Sequence, residues 1–238
     1  MVRSDLDSLF FQLIRVSIGL EPCLSVSPTV CQWENLYEMA KKQSLVGVCL
    51  AGVKKLQRQF QSPPEMLYLQ WMGMAAKIQQ RNVRVNKQCA DLLARMGKDC
   101  FKASILNGQG IGALYASHLS DLRQSGDIDV WAEGGFEKAY QYAKNISGGL
   151  DYGYLNTHLN VFEDTDVELH WRPCNLPNVF ANNRLQKWLK GNESEIYNTH
   201  CLLSDNINEC QVRICWLIGC PVRCSEKQML KSPIKLLI

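Results

Sequence analysis

The spacing of hydrophobic residues changes after Cys100, and that change limits what the chain can fold into. Before it, apolar residues recur every three or four positions. Leu6, Leu9, Phe10, Leu13 and Ile14 share one face of a helix that Ser4 can cap and Gly19 can end. A second helical stretch covers 33–42. Ser62-Pro63-Pro64-Glu65 is the clearest start signal: an N-cap Ser, a Pro at the first helical position and a Glu that closes a capping box. From there Met74, Ile78, Val85, Cys89, Leu92 and Met96 keep helical spacing up to Gly97, a C-cap. The opposite face carries Arg81, Arg84, Lys87, Arg95 and Lys98, a solvated basic stripe.

Beyond Cys100 the runs are short and several alternate. Residues 103–106 are apolar and end in Asn107-Gly108-Gln109-Gly110, and 111–116 suit one or two helical turns. Residues 128–131 alternate like a strand, and 136–146 are helical in pattern. Residues 159–162 and 166–171 then predict two strands joined by a tight turn at Asp164-Thr165. The expected fold class is α+β: a helical region over 1–100, then a core over 101–200 built on a small mixed sheet.

Residues 201–238 differ again. Five of the 11 cysteines fall between Cys201 and Cys224, and helical periodicity is lost. Cys210, Cys215, Cys220 and Cys224 lack the CxxC pairing of most structural zinc sites. A shifted reading frame near the 3′ end of the gene would produce such a tail, and a zinc module is the alternative. The odd cysteine count, with no secretory leader in the segment holding Asp5, Asp7 and Arg15, points to buried thiols in a reducing cytoplasm. No apolar run approaches the roughly 20 residues that span a bilayer, so no membrane partner is expected. A net charge of +3 does not call for nucleic acid.

Gly126-Asp127-Ile128-Asp129-Val130 carries the chemistry. In a strand, residues two apart share a face, which sets Asp127 beside Asp129 and turns Ile128 and Val130 to the core. Adjacent carboxylates repel unless a cation shares the site, and Mg²⁺ prefers carboxylate and phosphate oxygens together. Gly108 lies where a strand turns into a helix, a place where backbone N–H groups can face a triphosphate. Asp166-Val167-Glu168-Leu169-His170-Trp171 adds a second alternating strand, with Asp166, Glu168 and His170 on one face. A third carboxylate from a neighbouring strand completes a two-metal phosphoryl-transfer site.

These segments resemble the polymerase-beta superfamily: a Gly-containing strand–helix turn, an apolar-flanked DxD and a separate acidic residue. More closely, the chain is similar to bacterial proteins grouped as uncharacterised nucleotidyltransferases, over Ile105-Leu106-Asn107-Gly108, Leu114-Tyr115, the stretch from Arg123 to Val130, and Val167-Glu168-Leu169-His170-Trp171-Arg172. The similarity runs over roughly 67–172. Gln109 stands where the superfamily has Gly or Ser, and Asn107 where the closer group tends to carry Lys.

The resemblance implies Mg²⁺-dependent transfer of a nucleoside monophosphate from an NTP to a hydroxyl of an unknown acceptor. Asp127 and Asp129 would bridge two Mg²⁺ ions, and Glu168 would complete the catalytic one, with Asp166 as the competing third carboxylate. Gly108, Gln109 and Arg123 would contact phosphates, and His170 and His158 would line the acceptor pocket. Two other readings compete. Gly108, Gly110 and Gly112 precede Asp127 by a dinucleotide-fold distance, but the spacing is GxGxG and Asp127 opens its run. The same fold can also bind a nucleotide or a partner protein without turnover.

Overall fold

A computed structural model of the chain describes residues 3–112, 115–148 and 152–198; the cysteine-rich tail expected over 201–238 lies outside the described residues. The chain divides into two compact units. One comprises residues up to Arg84 with Tyr115–Ser125, and the other Val85–Leu114 with the residues from Gly126 onward. No described helix is long and apolar enough to cross a membrane.

The first unit is helical. It contains α1 (Arg3–Ser17), α2 (Val30–Lys42), α3 (Val46–Gln57), the first half of α4 (Glu65–Lys98) and the short α6 (Ser117–Ser120). Thr29 and Gln32 close a capping box at the start of α2. Leu13, Val16, Trp33, Leu36, Leu50, Leu56 and Trp71 are all at or near zero exposure and form its core. The Trp71 indole N–H donates to the Val46 carbonyl at 2.8 Å, and its ring meets Trp33 edge-on. Sequence periodicity misses α3, because Val46-Gly47-Val48-Cys49-Leu50-Ala51-Gly52-Val53 is buried on every side and has no polar stripe. Gly52 lets α1 come close: a Cβ there would lie 2.5 Å from Ser17 Oγ and 2.9 Å from the Leu13 carbonyl oxygen.

Helix α4 begins at Glu65, two residues later than the Ser62 cap predicts. The Pro64 carbonyl accepts the first helical bond, from the Tyr68 N–H at 2.9 Å. Pro64 disfavours helical geometry at Pro63, so the start moves past both prolines. At the other end Gly97 lies inside the helix, and Cys100 makes the stop at φ 55°. The Phe101 N–H donates to the Met96 carbonyl and the Cys100 N–H to that of Gly97, a Schellman closure on a non-glycine residue.

The second unit contains β1 (Ala103–Ile105), α5 (Asn107–Gly112), β2 (Ile128–Ala132), α7 (Gly135–Ser147), β3 (Asn156–His158), β4 (Val167–His170) and α8 (Val179–Asn198). Its sheet has the order β1-β2-β4-β3. Strands β2 and β4 are parallel, and the outer strands pair antiparallel, which is the expected mixed sheet. One face buries Ile128, Val130, Val167 and Leu169 against Val85, Cys89, Leu92 and Met96 of α4 and Ala139 and Ala143 of α7. On the other face, Trp131 and Leu106 pack with Leu185 and Leu189 of α8.

The strand predicted at 159–162 is displaced: β3 is Asn156–His158, and after Leu159 the chain leaves the ladder. Leu159, Val161 and Phe162 are apolar because they fill the core edge, not because they alternate in a strand. The expected turn is pinned instead by Gln88, which accepts from Thr165 Oγ1 at 2.8 Å and donates to Asp164 at 2.8 Å.

The cysteines are less buried than expected. Cys49 and Cys89 are buried, whereas Cys23, Cys31 and Cys100 are exposed. Burial pushes the Cys49 and Cys89 thiols up to about 12. Both should resist alkylation in the folded protein while Cys23, Cys31 and Cys100 react, as peptide mass mapping after brief iodoacetamide treatment would record. Leu169→Ala, at a fully buried position in β4, should cost about 2–5 kcal/mol, measured as a lower urea midpoint with an unchanged m-value.

Candidate active site

Parallel pairing of β2 with β4 sets Asp129 level with Glu168. His170 follows two residues later on the same face of β4, and antiparallel β3 brings His158 opposite Glu168 and Asn156 opposite His170. Asp129, Glu168 and His170 each offer one ligand atom, and those atoms lie within 4.8 Å of one another. His170 Nε2 is 3.0 Å from Asp129 Oδ1 and 3.3 Å from Glu168 Oε2. Side-chain exposures of 12% for His170, 13% for Asp129 and 25% for Glu168 leave the cluster partly screened from water and open at one side.

Two amides complete the cluster. Asn107 Nδ2 donates to Asp129 Oδ2 at 3.1 Å, and Asn156 Nδ2 donates to Glu168 Oε2. Asn107 reaches Asp129 because β1 ends at Ile105 and the chain then turns sharply. Asn107 has φ 34° and Gly108 has φ 26°, ψ −105°, so α5 is a kinked turn rather than a regular helix. Asn tolerates the left-handed region better than most residues, and glycine tolerates it best.

Of the residues singled out from the sequence, the structure draws together Asp129, Glu168 and His170. Asp127 is exposed and directly precedes β2, outside that cluster. Asp166 is exposed, and its carbonyl takes the Ile128 N–H at 2.9 Å. His158 is exposed on β3. Gln109 spends its amide N–H on Asn86 Oδ1 of α4. Arg123 belongs to the helical unit; its carbonyl accepts from Asn82 at 2.7 Å, and its Nη1 is buried with no hydrogen-bond partner among the described residues.

The sequence signals for the two amides were faint. Asn107 showed only as a departure from Lys beside the glycine, and Asn156 only as the residue two before His158 in a run too short to mark as a strand.

A mixed four-stranded sheet, a glycine turn after its first strand and acidic residues level on two adjacent strands define a nucleotidyltransferase-type core on an α+β fold. Residues 30–207 match the sequence model of a family described as uncharacterised nucleotidyltransferase, and the chain belongs to that family. No curated protein and no solved structure matches it.

Two carboxylates that converge on one point, oriented by an imidazole and two amides, suit a hard divalent cation. Saturating Mg²⁺ or Mn²⁺ should therefore raise the melting temperature of the wild-type protein. At a hundredfold excess over Kd the stabilisation is about 2.7 kcal/mol, a shift of several degrees for a chain this size. Asp129→Asn should abolish that shift in a thermal-unfolding titration.

Proposed function

We propose that the protein transfers a nucleoside monophosphate from an NTP to a hydroxyl of an acceptor, in a reaction that depends on Mg²⁺. The observation that carries this reading is the convergence of Asp129 and Glu168 on adjacent parallel strands, in a chain of a nucleotidyltransferase family. Asp127, Asp129 and Glu168 are the residues that would hold the metal, and bound Mg²⁺ would supply Lewis-acid neutralisation of phosphate charge.

The remaining roles fall to the chain itself. Glu168 is the acidic group on the attacking side, where a carboxylate takes a proton from the acceptor hydroxyl. The turn at Gly108 leaves backbone free of side-chain bulk beside Asp129, as a polyphosphate requires. Arg123 is the candidate phosphate contact by its chemistry, since a guanidinium pairs bidentately with phosphate oxygens. His158, exposed on β3, belongs to the acceptor side of the reading, and exposed Asp166 is the competing third carboxylate. The acceptor is a small molecule or a protein.

A second reading, nucleotide or protein binding without turnover, is favoured by one observation. Asn107 places a neutral amide, not a cation, against Asp129. Labelled NTPs incubated with the protein and cell extract, with pyrophosphate release followed in parallel, separate the two. Transfer of label with pyrophosphate release supports the enzyme, and nucleotide binding without release supports the binding module.

Asp127→Asn and Asp129→Asn should each abolish transfer in that assay while far-UV circular dichroism stays unchanged. Glu168→Gln should lower kcat by about 10²–10⁴-fold with little change in NTP affinity. Equal loss of rate and affinity would give Glu168 a structural role and move the third carboxylate to Asp166.

A further inference from the structure

The spacing of His170 from its two carboxylates fits two different roles. The distances are 3.0 Å to Asp129 Oδ1, an ordinary hydrogen bond, and 3.3 Å to Glu168 Oε2. They are also the edge lengths of an octahedron around a cation with bonds of about 2.1 Å, whose neighbouring ligands lie about 3.0 Å apart. As a ligand, His170 would turn an all-oxygen site into a mixed one that favours transition metals over Mg²⁺. As a donor, it would leave cation binding to the oxygens.

The other ring nitrogen decides between them. His170 Nδ1 is buried and has no hydrogen-bond partner among the described residues. Imidazole ligands that bind metal through Nε2 carry their proton on Nδ1 and almost always donate it to an acceptor. Here a proton on Nδ1 would be a buried donor with no acceptor among the described residues, and orphaned buried donors are rarer than orphaned acceptors. The ring proton therefore belongs on Nε2, where Asp129 Oδ1 accepts it and Glu168 Oε2 lies 3.3 Å away.

We propose that His170 is a positioning residue, not a metal ligand: its Nε2–H donates to Asp129 Oδ1 close beside Glu168 Oε2 and, with the amides of Asn107 and Asn156, holds both carboxylates converged for a cation. The donors in this clasp are what make it effective. Lys or Arg would orient the carboxylates equally well but would cancel the charge that attracts a dication. An imidazole N–H and two amides fix the same oxygens and leave their charge in place. The clasp also counters the repulsion that would otherwise spread Asp129 and Glu168 apart before a cation arrives.

This inference rests on the cation site of the proposed function, and its test needs no nucleotide. The full chain, labelled with ¹⁵N, is probed by long-range ¹H–¹⁵N correlation of its histidine rings, with and without Mg²⁺. Binding of Mn²⁺ alone is measured in parallel by titration for wild type, His170→Gln and His170→Phe. A protonated Nε2 and an unprotonated Nδ1 on His170, unchanged by Mg²⁺, are expected. His170→Phe should weaken Mn²⁺ binding about 10–100-fold, whereas His170→Gln, which keeps an N–H donor, should stay close to wild type.

A proton on Nδ1, or loss of Mn²⁺ affinity in both variants alike, would make His170 a ligand and overturn the proposal while leaving the cation site standing. Wild-type affinity in His170→Phe would overturn it as well. A wild-type protein that binds neither ion removes the cation site itself, and the Mg²⁺-dependent reading falls with it.

Discussion

The parallel pairing of β2 with β4 is the contact on which the site depends. Antiparallel neighbours can be joined by a tight turn, but parallel ones need a crossover, and here α7 and β3 lie between them in sequence. The crossover helix packs on the face that buries Val130 and Leu169, so the opposite face of the same two strands is left for Asp129, Glu168 and His170. One register gives both results. A slip of a single residue would send the carboxylates into the core and Val130 and Leu169 toward water.

Strict alternation is why this part of the chain was legible. Ile128-Asp129-Val130 and Val167-Glu168-Leu169-His170 each spell out one buried and one polar face, and the structure uses both as written. The long helix α4 was equally clear, because only a helix sustains an amphipathic stripe over 34 residues. Its ends were not. Ser44, Phe60 and Cys100, which follow α2, α3 and α4, adopt left-handed φ without being glycine, so a rule that looks for Gly finds Gly19 after α1 and Gly148 after α7 but misses these three. Tertiary packing sets those conformations, and a local signal does not record it.

Polar partners were the hardest part to read. Asn107 and Asn156 meet Asp129 and Glu168 from chain positions 22 and 12 residues away. An amide that serves a carboxylate looks like any loop asparagine until the strands are aligned. His170 was visible as a site residue, but its role could not be, since the fate of its second nitrogen depends on burial that only the folded structure shows. Helix α3 was lost for the opposite reason: a segment enclosed on all sides has no pattern to display.

Trp131 lies two residues beyond Asp129 on the same sheet face, sealed by Leu106, Leu185 and Leu189. The charged cluster is thus bordered along β2 by a hydrocarbon wall. Water dipoles reorient in a field and hydrocarbon responds only weakly, so field lines from Asp129 that would spread through solvent are focused toward the open side of the cluster. An approaching counter-ion meets a potential shaped by this wall as much as by the number of carboxylates, and dissolved salt, which cannot enter the wall, screens it less than it would an exposed aspartate.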